Sequence, residues 1–231
     1  MATPLIDRIR VVHEDDDLIV IDKPAGLLTM ETDREHRKTV LAVLRSRLSH
    51  RRPPQRVFIV HRLDREASGL LVFAKSVEAQ EGLQAQFKDH SAGRRYVAVV
   101  EGSVRQDEFT VRSLLAENAA FRVYTTRKTK IGKEAITHIR VAQRSSRYSI
   151  LDVRLETGRK HQIRVHLADA GHPVVGDDVY GSRNNPLHRL ALHGVHLEFR
   201  HPRTGRLKQF DSLPPKSFLS LIPSPTSKIS A

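Results

Sequence analysis

Cysteine and tryptophan are absent from these 231 residues, methionine occurs twice, and aromatic residues make up only 5%. Without cysteine the chain has no disulfide, no zinc–thiolate centre and no thiol nucleophile. Such a composition suits a reducing cytosol, and the expected location is cytoplasmic. No window approaches the roughly 18 consecutive apolar residues of a spanning helix, so no membrane association is expected. The opening "MATPLIDRIRVV" also lacks the charged-then-apolar layout of a secretory signal. The phosphate-binding P-loop, the G-x-G-x-x-G fingerprint and the H-E-x-x-H zinc motif are missing. No G-x-S-x-G elbow surrounds Ser68, whose neighbours read Glu66-Ala67-Ser68-Gly69. His161, His166 and His172 do not make a metal set, because helical positions five apart diverge and no acid completes the group. With no metal and no cofactor expected, the chemistry falls to side chains alone.

What the chain does have is positive charge. Lys and Arg number 39 against 26 Asp and Glu, a net charge of +13. Such a surplus favours a polyanionic partner, since each phosphate neutralised releases counterions. Arg45, Arg47, Arg51, Arg52 and Arg56 crowd one segment, and "RKTKIGK" (Arg127 to Lys133) reads as a basic hairpin tip. The length and a hydrophobic content of 39% allow one large domain or two small ones with a substantial core.

Patterning predicts two strands around an acidic turn at Asp15 to Asp17, then a Pro-Ala-Gly turn in which Pro24 and Gly26 set the geometry. Val40, Leu41, Val43, Leu44 and Leu48 recur at helical spacing after Thr39, a candidate N-cap. "RVFIV" and "GLLVFAK" read as strands with His61 to Ser68 between them. Ser76 is placed to cap a helix carrying Leu83 and Phe87. Further strands are predicted at "RRYVAVVEG", "FRVYTTR", "AITHIRVAQR" and "YSILDVRLE", and a helix at "RKHQIRVHLADAG" with Gly171 as its stop. "HLEFRHPRTGRLKQF" reads as a hairpin, followed by a short helix after Pro215 and a frayed "PSPTSKISA". Strands and helices alternate without βαβ regularity. The expected class is α+β, a mixed and mainly antiparallel sheet flanked by helices. Residues 1–215 form a single domain in this reading, with 216–231 as a short helix and tail.

One stretch is physically odd. "VHRLDREASGLLVFAKS" sets His61, Arg62, Asp64, Arg65 and Glu66 directly against a buried-looking strand. Crowding charges at a core needs solvent or a substrate to meet them. Two other segments place a reactive or cationic group at an element: Tyr96 in "RRYVAVV" and Arg164 in "TGRKHQIRVH". Alone, Tyr96 reads as a core tyrosine and Arg164 as a solvated helix residue.

Taken together, these segments resemble the RluA-type pseudouridine synthase family. "HRLDREASGLLVFAKS" resembles its central motif, "RRYVAVVEG" its tyrosine motif and "LETGRKHQIRVHLADAGHPVVGDDVYG" its third motif. "IVIDKPAGLL" and "LHGVHLEFRHPRTG" match further segments in order, so the resemblance runs from about Val11 to Pro215. It implies a pseudouridine synthase catalytic domain that isomerises uridine in ribosomal or transfer RNA, at a loop or unpaired position, since flipping a nucleotide out is least costly there. By resemblance Asp64 is the catalytic carboxylate, acting either as nucleophile or as base at the sugar. Arg164 pairs with it, and Tyr96 lies against the uracil. Arg62 enters the space the uridine vacates or touches phosphate. Lys23, His61, Lys160 and His161 are further substrate-binding candidates, with fixing of local backbone as the other reading of His61 and His161, and Asp177 and Asp178 cap or brace a loop near the helix end. Many relatives read Thr-Ser where this chain has Ala67-Ser68, one hydroxyl fewer in the central loop. No protein partner is implied, so a monomer without a separate N-terminal RNA-binding module is expected. Two readings compete: an RNA-binding or chaperone protein without turnover, and a basic DNA-binding protein.

Overall fold

The computed structural model describes residues 5–31 and 39–222, and the predicted tail "PSPTSKISA" lies outside them. A 3-10 turn, Leu5–Arg8, precedes strands β1 (Arg10–Glu14) and β2 (Leu18–Lys23), with the acidic turn between them as expected. Helix α1 (Val40–Ser49) begins where Thr39 Oγ1 accepts the Ala42 N–H at 3.1 Å. The short β3 (Phe58–Ile59) leads through the charged stretch into β4 (Ser68–Ala74), every residue of which is buried. Ser76 caps α2 (Val77–Lys88) by accepting the Ala79 N–H. Satisfying these otherwise orphaned amides explains both start points.

Strands β5 (Gly93–Glu101), β6 (Glu108–Glu117), β7 (Val123–Thr126), β8 (Lys133–Arg144) and β9 (Tyr148–Leu155) follow. Then come α3 (Gln162–Asp169), β10 (Leu192–Arg200), β11 (Leu207–Asp211) and α4 (Lys216–Leu219). All eleven strands share one sheet, whose main path runs β1-β2-β4-β10-β5-β9-β8-β6-β7. Every pairing is antiparallel except the short contact of β4 with β10, so the sheet is mixed and mainly antiparallel, the class read from patterning.

Two features were not predicted. β6 escapes period-two reading because its burial alternates only between exposed and half-buried, and "SLLAE" breaks the pattern at its end. Its presence also changes the basic segment before β8. β7 and β8 lie on opposite sides of β6, so Arg127–Gly132 crosses over that strand instead of closing a hairpin.

The centre of the sheet matters most for function. β10 pairs with β5 through residues 192–198, while its first half also touches β4 and its second half pairs with β11. Where β4 and β10 meet, Gly69 opposes Gly194. Gly69 has φ +117°, and a Cβ there would overlap the Gly194 nitrogen and carbonyl oxygen. Only glycine allows that backbone conformation and that approach. The main core lies on the face covered by α1 and α3, where Leu41, Leu44, Ile163 and Leu167 pack against Ile19, Phe73 and Leu151. The opposite face packs α2 through Ala79 and Leu83 against Val72, Leu197 and Phe199.

Buried histidines tie these layers together as neutral hydrogen-bonding groups. His193 bridges Ser68 Oγ (2.7 Å) and Ser212 Oγ (3.1 Å), and His166 bridges Thr137 Oγ1 (2.8 Å) and Ser113 Oγ (2.9 Å). Burial pushes both pKa values down to about 4, although the charges of Asp22 and Asp169 respectively act in the opposite sense. The unfolded chain binds these protons near pH 6.5, so below that pH it holds more protons than the native state. Stability should therefore be full above pH 6.5 and fall as pH drops toward 4. Urea melts across this range should show the loss, and His166→Asn should flatten the slope by up to about 1.4 kcal/mol per pH unit.

Candidate active site

Asp64 stands on a short loop whose backbone is clamped on both sides. On one side Leu63 donates its N–H to Thr29 Oγ1 (3.2 Å), and its carbonyl accepts from the same hydroxyl (2.8 Å). On the other, the Arg65 carbonyl accepts from the Gly26 N–H (2.8 Å) and from Lys23 Nζ (3.1 Å). Lys23 Nζ also donates to the carbonyls of Leu27 (2.8 Å) and Pro24 (3.0 Å). Lys23 is fully buried, and burial lowers its pKa to about 7 against the opposing pull of Asp64 and Glu66. The structure therefore puts Lys23 behind the site, joining the Pro24–Leu27 turn to the Asp64 loop, and not among the groups that meet a substrate. The hydroxyl missing at Ala67 is not what holds this loop: Ala67 is buried in the core, and Ser68 Oγ takes an Arg189 Nη2 donor at 2.7 Å.

The carboxylate faces a cationic partner. Arg164 Nη1 donates to Asp64 Oδ2 at 3.2 Å. The remaining edge of the guanidinium forks onto Asp177, with Nε to Oδ2 at 2.7 Å and Nη2 to Oδ1 at 2.8 Å. Asp177 is therefore the buried anchor of Arg164, a closer role than bracing a loop, while Asp178 is exposed. Burial alone would lower the Arg164 pKa, but hydrogen bonding and charge from Asp177, then Asp64, raise it above its usual value. The Arg164 guanidinium also lies 5.1 Å from the Tyr180 ring centre, a cation–π contact.

His161 precedes α3 in the left-handed conformation (φ 53°). That turn brings Nε2 to 3.9 Å from Asp64 Oδ1 and Nδ1 to 2.8 Å from the Tyr180 hydroxyl. Burial lowers its pKa, so it meets the carboxylate as a neutral ring. Gln162 fixes the same turn. Its Oε1 accepts from Thr157 Oγ1 and the Arg159 N–H, and its Nε2 donates to the Ile136 carbonyl and Thr137 Oγ1.

A single pocket gathers Arg62, Asp64, Tyr96, Lys160, His161 and Arg164, with Ala67, Leu155, Ile163 and Leu192 as apolar walls. Tyr96 is buried, and burial raises its pKa, an effect Arg94 opposes and Asp64 reinforces. It is thus a neutral phenol at physiological pH. Lys160 lines the pocket with its ammonium engaged by the Glu117 carboxylate and the Phe121 carbonyl (3.0 Å). His61 does not line it. Its ring stacks on Phe87 with centroids 4.5 Å apart, its Nε2 accepts the Val72 N–H, and burial pushes its pKa down to about 3. His61 therefore takes the backbone-fixing place of its two expected ones, and not the substrate contact. Arg94 and Gly158, which sequence reading passed over, are part of the pocket wall. Among the described residues, the one group with converging metal-type donors is Asp15, Asp17 and His201. It shares no residue with the pocket, and its carboxylates already accept from His13, Leu18 and Arg203.

The pocket thus holds a lone carboxylate, bonded to an arginine, beside a buried tyrosine among basic side chains. Comparisons with known proteins agree with that description. Residues 17–169 match the RNA pseudouridylate synthase family. A ribosomal large subunit pseudouridine synthase D of Zymomonas mobilis is 37% identical over 221 residues, covering 90% of this chain and 70% of that one. Its namesake in Nitrosomonas europaea is 37% identical over 226 residues, covering 93% and 64%. An uncharacterized RNA pseudouridine synthase of Bacillus subtilis is 36% identical, covering 92% and 71%. The chain thus spans about two thirds of the length of these relatives. The structure of human RNA pseudouridylate synthase domain containing 1 superposes with a TM-score of 0.74 at 24% identity over 93% of this chain and 87% of that one, a likeness of fold. The chain belongs to the RNA pseudouridylate synthase family. It is a pseudouridine synthase, an isomerase acting on RNA. No helix among the described residues is long and apolar enough to cross a membrane.

The clamp under Asp64 has a measurable strength. Lys23→Met removes the donor shared by three inward-facing carbonyls and should destabilise the protein by about 3 kcal/mol in urea unfolding. Turnover should fall as well, because Asp64 loses its backbone support.

Proposed function

We propose that Asp64 is the catalytic carboxylate that isomerises uridine to pseudouridine, with Arg164 and Tyr96 as its working partners and RNA of the large ribosomal subunit as substrate. The observation that carries this reading is that Asp64 is the only carboxylate among the residues lining the pocket. Glycosidases that hydrolyse use two carboxylates, one of which activates water. A single carboxylate can act at the sugar, as nucleophile at C1′ or as base at C2′, with no second acid to deliver water to the broken glycosidic bond. The free uracil is then retained, turns, and re-bonds through carbon 5.

Arg164 aims Asp64, since the strong fork to Asp177 fixes the guanidinium before the substrate arrives. Tyr96 lies against the uracil. As a neutral phenol it accepts the carbon 5 proton only in a relay that passes its own proton onward. Arg62, exposed at the pocket rim and without a hydrogen bond among the described residues, faces the RNA and takes the place of the flipped uridine or meets a phosphate. His161 and Lys160 complete the wall on the α3 side. The large-subunit substrate rests on the relatives, two of which are synthases of that subunit by name. The net charge of +13 supports a polyanionic partner. One continuous sheet from β1 to β11 supports reading residues 1–215 as a single catalytic domain.

Release of tritium from carbon 5-labelled uridine tests the chemistry. Wild-type protein should release label from large-subunit ribosomal RNA transcripts, and Asp64→Asn should release none above background. Equal release by both proteins refutes the role of Asp64, and release from transfer RNA alone refutes the substrate.

A further inference from the structure

Among the described residues, Arg94 sits in the pocket without a counterion. It lies two residues before Tyr96 on β5, so both side chains leave the same face of the strand. It is only 8% exposed, and it lines the pocket with Asp64 and Tyr96. Its Nε is buried without a hydrogen-bond partner. Three other cations of the pocket wall are engaged. Arg164 has Asp64 and Asp177, Lys160 has Glu117, and Arg159 Nε donates to the Glu134 carbonyl at 3.0 Å. Arg62 is free, but it is exposed and solvated. Arg94 alone is both buried and unpaired among the described residues.

Two neighbours border its guanidinium. The guanidinium carbon lies 5.2 Å from the Phe87 ring centre. The other is Gly158, where a Cβ would overlap Nη1 and come within 3.1 Å of Nη2. A guanidinium fork left unpaired in a partly desolvated wall is a poor stability device. It is a good receptor for an anion that arrives with the substrate. RNA carries one such anion per nucleotide, whereas neutral uracil offers no charge to balance the guanidinium.

We propose that Arg94 binds a backbone phosphate of the RNA beside the uridine that enters the pocket, and that Gly158 is glycine to leave room for this guanidinium. Arg94 is then a substrate-binding residue that sets the position of the strand, with no part in the isomerisation itself. The proposal rests on the reading that RNA enters at the Asp64 pocket.

The test is binding of a ribosomal RNA stem-loop that the wild-type protein converts, measured on the Asp64→Asn protein so that no turnover intervenes. Arg94→Gln in that background should weaken binding about tenfold near 100 mM salt, the scale of one lost charge-assisted contact. It should also reduce the slope of log affinity against log salt by about 0.7, one phosphate of a single strand. Gly158→Ala keeps the charge but displaces the fork, so it should weaken binding similarly, and the double variant should bind no worse than Arg94→Gln. A methylphosphonate at the responsible phosphate, 5′ or 3′ of the target uridine, should weaken binding by the Asp64→Asn protein but not by its Arg94→Gln variant. With Asp64 intact, Arg94→Gln should raise KM and leave kcat near wild type.

An unchanged salt slope with unchanged affinity overturns the proposal. So does a loss confined to kcat, which would place Arg94 on the uracil. If Arg94→Gln does not fold, Gly158→Ala and the methylphosphonate substrates decide alone. Failure of the Asp64 reading shows instead as tritium release by Asp64→Asn, a result these binding measurements do not depend on.

Discussion

Arg164 lies between two carboxylates, and the organisation of the site follows from how unequally it is shared. Asp177 takes two short hydrogen bonds in full burial, while Asp64 takes one longer bond at the edge of the pocket. Burying an arginine is costly without such an anion. Because Asp177 supplies it, Asp64 is left with a partner that cannot wander and an oxygen, Oδ1, that faces His161 only at 3.9 Å. The carboxylate is thereby oriented without being fully consumed in a salt bridge, which is the condition for it to react with something else.

That arrangement brings together parts of the chain that are far apart in sequence. Asp64 is anchored by the Lys23–Thr29 turn, Arg164 comes from the first turn of α3, and Asp177 belongs to the loop after that helix. Gln162 locks the approach to α3 onto β8. The left-handed turn at His161 is what places both His161 and the α3 residues that follow it toward the pocket. Rigid backbone supports, and not the reacting groups themselves, account for most of the polar bonds near the site.

Much of this was legible in the chain. Caps at Thr39 and Ser76, the paired strands around Asp15 to Asp17 and the terminal hairpin are local patterns, and local patterns survive folding. The Asp64, Tyr96 and Arg164 segments were recognisable from their motifs, and the structure brings all three to one pocket. Long-range facts were harder. Lys23 and His61 are charged or titratable in sequence, yet their partners are carbonyls and an aromatic ring contributed by other segments. β6 was hidden because neither of its faces is cleanly buried, and missing it turned a crossover into a hairpin. Arg94 was hidden by its neighbour. The pair Arg94-Arg95 looks like a solvated basic patch, but strand alternation counted back from Tyr96 sends one of the two inward.

The contact of Gly69 with Gly194 has a consequence for how such a site tolerates change. β4 leads out of the Asp64 loop, β5 carries Tyr96, and β10 lies between them. At the point of closest approach the spacing of β4 and β10 is set by peptide groups touching peptide groups. Backbone atoms have no rotamers and no alternative sizes, so this contact acts as a gauge block between the elements that carry Asp64 and Tyr96. The surrounding hydrophobic residues can be exchanged for others of similar volume, and the core can drift in composition, while the pocket between Asp64 and Tyr96 keeps its width.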